Sequence, residues 1–199
     1  MSRRRVDVQS RETVFDGYFK VDRYHLRHAL HDGGVSDVLN REVFERGHVA
    51  ALLPVDPILG KVVLIEQFRP GAFAAGWDAW LLECVAGIIE TGEEPAEVAA
   101  RECLEETGLE ATDCTLISRY LTSPGACSES VHLYVGKVDA RAAGGVFGLA
   151  DEGEDIRVLS MDIDEALAAL DEGRIVNSKT IIALQWLALN RSHLGNMLP

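Results

Sequence analysis

Gly87-Ile88-Ile89-Glu90-Thr91-Gly92-Glu93-Glu94-Pro95-Ala96-Glu97-Val98-Ala99-Ala100-Arg101-Glu102-Cys103-Leu104-Glu105-Glu106-Thr107-Gly108-Leu109 is the stretch on which the fold and the chemistry both turn. Pro95 to Thr107 reads as a helix, with proline in its first turn and Gly108 just past its end. On that helix Glu102, Glu105 and Glu106 stand at i, i+3 and i+4, so their carboxylates project from one face. Like charges at those spacings repel. A hard divalent cation with oxygen ligands removes the repulsion, and carboxylates suit Mg²⁺ or Mn²⁺. Arg101 lies four residues before Glu105 and can orient it. Ala96, Ala99, Ala100 and Cys103 form a small apolar flank on which the helix can pack close against a sheet. Taken alone, Glu-x-x-Glu-Glu reads as a solvated acidic face.

Outward from this helix, strands and helices alternate. His48–Val55 and Lys61–Phe68 are apolar strand candidates joined by the turn-rich Asp56-Pro57-Ile58-Leu59-Gly60. Trp80–Val85, Thr115–Leu121, Val131–Val138 and Ile156–Met161 are further strands. Asp162-Ile163-Asp164-Glu165 has the form of a capping box and opens a helix that stops at Gly173. Ser178 is the expected cap of a last helix, where Ile181, Ile182, Gln185, Trp186 and Leu189 follow a helical period. The expected class is α/β (α+β), a mixed β-sheet sandwiched by helices.

The 199 residues carry 19 Lys+Arg against 32 Asp+Glu, a net charge of −13. That balance argues against nucleic acid as a partner, because phosphate backbones are held by clustered cations, and it disfavours an anionic membrane surface equally. A phosphate-bearing ligand would need a divalent cation. The charge is uneven: residues 1–46 are net +1 and the remainder −14. The shift falls at Gly47, just before an apolar run, and suggests two parts, 1–46 and 47–199. The first is too short to bury a core alone, and its aromatic and β-branched stretches, Thr13–Phe19 and Lys20–His28, need packing from elsewhere, for which a second subunit is a candidate. No apolar run follows the basic Arg3-Arg4-Arg5, so no secretory signal is read there. Cys84, Cys103, Cys114 and Cys127 show no C-x-x-C pairing and suit reduced core positions of a cytoplasmic protein better than disulfides or a zinc site. The six histidines form no ligand spacing.

The quoted stretch has the form G-x5-E-x7-R-E-[apolar]-x-E-E-x-G-[apolar], and in that form it resembles the signature of the Nudix hydrolases. Seven fixed positions at about one in fifteen each recur by chance roughly once in 10⁸ starting points. Cys103 stands where the family usually has an aliphatic residue, a place a small buried thiol can fill. The resemblance implies the Nudix fold, with a box at 87–109 that binds a divalent metal and positions a pyrophosphate for hydrolysis. It makes Glu102 and Glu106 metal ligands, Glu105 a ligand or orienter with a catalytic part, and the backbone carbonyl of Ala86 a further ligand.

Substrate must be read outside the box. Three segments resemble the ADP-ribose pyrophosphatases: Ser123-Pro124-Gly125, the acidic loop of residues 148–158, and Val63-Leu64-Ile65-Glu66-Gln67-Phe68-Arg69. With Arg41–His48 and Ile182–Leu187, the likeness runs from about Arg11 to Leu189. It implies an intertwined homodimer whose N-terminal strands complete the partner's site. Tyr18 and Phe19 would meet adenine; read alone, they are hairpin or core packing. Arg41, Glu42, Arg46 and Arg69 would hold phosphates and ribose; read alone, each is an ordinary surface charge. Ile88, the Ser123-Pro124-Gly125 turn and Glu129 would line the remaining pocket. In the acidic loop, Glu152 matches the general base and Glu154 a metal ligand; by composition alone the loop is solvated. The expected reaction is Mg²⁺-dependent hydrolysis of ADP-ribose to AMP and ribose 5-phosphate. The alternatives are another nucleoside-diphosphate sugar, isopentenyl-diphosphate isomerisation, which needs a cysteine outside the box (Cys84 and Cys127 being weak candidates), and a nucleotide-sensing regulator with a dead box. The intact Glu102, Glu105 and Glu106 argue against the last.

Overall fold

The computed structural model describes residues 5–149 and 153–198. Two compact units emerge. The first holds the chain up to His48 together with Leu121–Ser130, and the second holds Val49–Tyr120 with Val131 onward.

In the first unit, β1 (Val6–Asp16), β2 (Lys20–His28) and β3 (Leu39–Glu45) form an antiparallel sheet in the order β1-β2-β3. Asp22 on β2 is only 2% exposed, and its carboxylate is satisfied by Arg11 and by the Thr13 hydroxyl at 2.7 Å. These bonds hold the Asp22 carboxyl below the usual range. The Leu121–Ser130 segment docks on β3: the Phe44 N–H donates to the Ala126 carbonyl at 2.8 Å, and the Phe44 carbonyl accepts from Ser128 N–H at 3.2 Å. The 46-residue part expected from the charge shift thus takes in a second, distant piece of chain. β1 is exposed along its whole length, with Val6, Val8 and Phe15 each at least half exposed.

The second unit is built on an eight-stranded mixed sheet. β10 (Val146–Phe147), β11 (Ile156–Asp162), β5 (Lys61–Phe68), β4 (His48–Asp56), β9 (Ser130–Lys137) and β8 (Thr112–Leu121) follow in that order, while β6 (Trp80–Glu83) pairs β5 and β7 (Val85–Ile89) pairs β4. β4 and β9 are parallel; β4–β5, β5–β6 and β5–β11 are antiparallel. Successive side chains alternate between the faces. On one face Val62 and Leu64 meet α3 (Ile163–Asp171) and α4 (Ser178–Asn190); on the other, Val63 and Ile65 meet α2 (Pro95–Thr107). Each such aliphatic side chain, fully buried, stabilises the fold by about 1.5–3 kcal/mol. The short α1 (Pro70–Ala74) and α5 (Leu194–Met197) complete the elements. Among the described residues no helix is long and apolar enough to cross a membrane.

Several local expectations are corrected. The strand read as Trp80–Val85 is broken at Cys84 into β6 and β7, and the freed Cys84 N–H donates to Thr180 Oγ1 at 2.9 Å. The side chain capping α4 belongs to Asn177, which accepts from Lys179 N–H and Thr180 N–H, and Ser178 is the first helical residue. Asp162 occupies the N-cap of α3 without a side-chain cap bond, so the capping box does not form. α2 runs over the expected span, and Gly108 ends it at φ 70°, a left-handed conformation that glycine adopts without a Cβ penalty.

Candidate active site

The carboxylates of α2 are not equivalent. The helix face that carries them rolls into the sheet, so Glu106 is buried at 3% exposure while Glu102 and Glu105 are half-buried. Glu106 Oε2 accepts from the Ala86 N–H on β7 at 3.1 Å. Burial pushes its carboxyl up to about 8, and the charges of Glu102 and Glu154 add to the shift, while the Ala86 bond and Arg69 oppose it. Glu102 is also raised, again chiefly by burial, with Arg101 opposing and Glu105 and Glu154 reinforcing. Arg101 Nη1 reaches both Glu102 and Glu105 at 2.8 Å, so the expected orienting contact is present and is shared by two carboxylates.

The opening glycine of the box has a steric reason. A Cβ on Gly87 would fall 2.0 Å from the Glu102 carboxyl carbon. Only glycine lets that carboxylate lie against the β7 backbone.

Arg69 follows β5 and points toward the same acidic group. Its Nη2 donates to Glu83 Oε2 at 2.8 Å and its Nε to Oε1 at 3.2 Å, a two-pronged contact with a carboxylate only 1% exposed. Burial works against its charge, and Glu83, Glu106 and Glu154 hold it protonated. Glu83 was not among the expected site residues. Its signal was faint: an acid inside the otherwise apolar strand candidate Trp80–Val85. Glu154 Oε2 accepts from Leu149 N–H at 3.1 Å. Ile88, at 38% exposure, lies on β7 two residues beyond Ala86. Glu152 lies outside the described residues.

The donors are therefore hard oxygens, desolvated and mutually repelling, in a cradle that a Cβ would fill. That chemistry fits a divalent cation. Among the described residues no three carboxylate, thiol or imidazole groups stand close enough to hold an ion by themselves. The Ala86 carbonyl, by contrast, belongs to a peptide segment already tied to Glu106. Burial raises the Cys84 thiol to about 11 and the Cys103 thiol to about 12, so neither suits proton transfer or nucleophilic attack.

The other expected residues lie in the first unit. Phe19 packs edge-on with Tyr18 at 4.7 Å and with Phe44 at 5.2 Å, and the Arg46 guanidinium lies 5.5 Å from the Phe19 ring centre. Arg46 Nη1 also meets Glu129 Oε1 at 3.3 Å. Tyr18, Phe19, Arg46 and Glu129 are thus brought together. Arg41 and Glu42 are not part of that group: Arg41 donates to the neighbouring Asn40 carbonyl, and Glu42 is held by Arg23 at 2.8 Å. Ser123, Pro124 and Gly125 form a turn in which the Ser123 carbonyl accepts from Ala126 N–H and Cys127 N–H.

Comparison with known proteins places this geometry in context. The model of the NUDIX domain matches residues 46–184. The ADP-ribose pyrophosphatase of Escherichia coli K12 is 47% identical over 191 residues, 96% of this chain and 91% of that protein. The ADP-ribose pyrophosphatase of Haemophilus influenzae is 38% identical over 196 residues, 97% and 90% of the two chains. A crystal structure of an ADP compounds hydrolase superimposes with a TM-score of 0.71 at 20% identity, covering 98% of this chain and 97% of that one, and shows a shared fold.

Proposed function

Since the chain belongs to the NUDIX domain family, we propose that it hydrolyses the pyrophosphate of ADP-ribose, releasing AMP and ribose 5-phosphate. The observation that carries the reading is the buried Glu106 carboxylate, tied to the Ala86 N–H and grouped by charge with Glu102, Glu154 and Arg69. The substrate follows from near-full-length likeness to proteins named ADP-ribose pyrophosphatase.

Glu102, Glu106, Glu154 and the Ala86 carbonyl hold the divalent cation, Mg²⁺ or, in its place, Mn²⁺. When bound, the cation neutralises phosphate oxygens and stabilises the charge that develops on them. Arg101 holds Glu102 and Glu105 in place, so that the carboxylates do not splay apart. Arg69, clamped by Glu83, presents its guanidinium edge to a phosphate oxygen. Glu152 removes the proton of the attacking water as its oxygen bonds phosphorus and the bridging P–O bond breaks. Tyr18 and Phe19 receive adenine, and Arg41, Glu42, Arg46, Ile88, Glu129 and the Ser123-Pro124-Gly125 turn complete the substrate contacts. We assign residues 1–46 to dimerisation with a second copy, and the enzyme to the cytoplasm. The exposed apolar residues of β1 support the dimer, because such a strand gains burial only from a partner.

The test is incubation with ADP-ribose and a panel of other nucleoside-diphosphate sugars plus Mg²⁺, with product identification. AMP and ribose 5-phosphate from ADP-ribose as the best substrate are expected. Faster turnover of another sugar diphosphate would move the assignment to that compound.

A further inference from the structure

Gln67 is buried at 8% exposure, and its side-chain Oε1 has no hydrogen-bond partner among the described residues. It lies on β5 opposite Ile156 of β11 and Leu81 of β6. Residues directly opposed on antiparallel strands share a face, as do residues two apart on one strand. Gln67 therefore projects on the side lined by Val63, Ile65 and Ile156, which is the α2 side of the sheet.

That position is surrounded by the site. Two residues on along β5 comes Arg69, whose N–H continues the ladder to the Ala79 carbonyl at 2.7 Å. Two residues back across β6 comes Glu83, opposite Ile65. Two residues before Ile156 comes Glu154. Because Arg69 reaches back to Glu83, its guanidinium runs across the Gln67–Leu81 rung. Arg69 is at the same time within range of the charges of Glu106 and Glu154. The Gln67 carbonyl is thus a buried acceptor among other acceptors, while Nε and Nη2 of Arg69 are spent on Glu83. A buried acceptor without a donor is a standing cost to the fold, and an amide at this point accounts for itself only if a donor arrives from outside.

We propose that Gln67 Oε1 accepts a hydrogen bond from an O–H group brought in with the substrate complex, either a water carried by the divalent cation or a hydroxyl of the sugar diphosphate. Being neutral, the amide receives that proton donor without adding to the repulsion among Glu102, Glu106 and Glu154. Being unable to take the proton, it orients the donor and leaves base chemistry to a carboxylate. The inference rests on the pyrophosphatase reading given above.

The unmodified chain is assayed first with ADP-ribose and Mg²⁺, and by Mn²⁺ titration followed by electron paramagnetic resonance. Failure at that stage overturns the functional reading and not the role of Gln67. Gln67→Met and Gln67→Leu are then compared with it; each removes the acceptor and keeps an apolar side chain of similar size, and either one that folds carries the test. The expected result is a melting temperature equal to or above that of the unmodified chain, with kcat/KM lowered about tenfold or Mn²⁺ affinity lowered several-fold. Weaker Mn²⁺ binding without substrate identifies the donor as a metal-borne water. Unchanged Mn²⁺ affinity with a lowered kcat/KM identifies it as a hydroxyl of the substrate. Mn²⁺ affinity and kcat/KM both within twofold of the unmodified chain, whatever the melting temperature, would overturn the proposal.

Discussion

The Ala86 N–H and Glu106 Oε2 are 3.1 Å apart, and this single bond joins the C-terminal end of α2 to β7 twenty residues earlier in the chain. It fixes a carboxylate with 3% exposure beside Ala86, the residue whose own carbonyl, one peptide further on, is proposed to face the cation. Glu106→Gln keeps an acceptor for the Ala86 N–H and removes the charge. We expect the variant to fold normally, to lose kcat by at least a factor of about 10², and to lose the stabilisation that Mg²⁺ gives the unmodified chain. Thermal melts with and without Mg²⁺, beside a kinetic assay, check this; near-normal turnover would remove Glu106 from the ligand set.

The raised carboxyl of Glu106 sets a pH dependence for the metal-free chain. Its value of about 8 lies above the 4.5 of an unperturbed glutamate, so between those values the folded state holds a proton that the unfolded state releases. The corresponding stability is fully present below about pH 4.5 and is lost as pH rises through 8. In the metal-free chain, Glu106→Gln should therefore melt at a higher temperature than the unmodified protein at pH 8, and the gap should close toward pH 5. An equal gap at both pH values would contradict the buried proton.

Glu152 and Glu154 are proposed for different tasks, and their variants should differ accordingly. Glu152→Gln is expected to lower kcat strongly with little change in KM or in metal affinity, as befits a base. Glu154→Gln should weaken metal dependence as well as rate. Activity measured across a Mg²⁺ titration separates the two. If Glu152→Gln retains most of its rate at saturating Mg²⁺, the base lies elsewhere, with Glu105 or Glu129 next in line.

Arg69 and Glu83 form a pair in which the carboxylate is wholly buried and the guanidinium one third exposed. Removing the cation leaves an uncompensated buried charge, which typically costs about 3–5 kcal/mol. Arg69→Met should therefore lower stability by about that amount and impair substrate binding. Arg69→Met combined with Glu83→Gln should recover much of the stability and none of the affinity. Denaturant titrations beside KM measurements decide it, and full recovery of both would reduce Arg69 to a structural role.

Assembly is testable directly. Light scattering is expected to report twice the 21.7 kDa chain mass, because β1 carries Val6, Val8 and Phe15 on a strand exposed from end to end. Charged replacements at Val8 and Phe15 should yield a monomer with reduced turnover. A fully active monomer would exclude a shared site.

What was legible in the sequence was local. α2 announced itself through Pro95, Gly108 and the spacing of Glu102, Glu105 and Glu106, because a helix relates residues three and four apart and those lie within one short window. The Arg101 contact with Glu105 was readable for the same reason. The strand Lys61–Phe68 was readable from its apolar run and the turn-rich segment before it, whereas which helices meet Val62 and Leu64, and which meet Val63 and Ile65, was not.

Only the tertiary structure decided which of three look-alike carboxylates is buried. Glu102, Glu105 and Glu106 are chemically the same until the helix rolls against the sheet, and then desolvation separates Glu106 from the others. The Glu83 clamp on Arg69 was hidden because its partner sits across a pairing of β5 with β6, whose register no short window contains. Nor could the sequence show the break at Cys84: its N–H bonds Thr180, ninety-six residues later. Periodicity names the face a residue occupies, whereas burial and cross-chain hydrogen bonds depend on what the rest of the chain brings to that face.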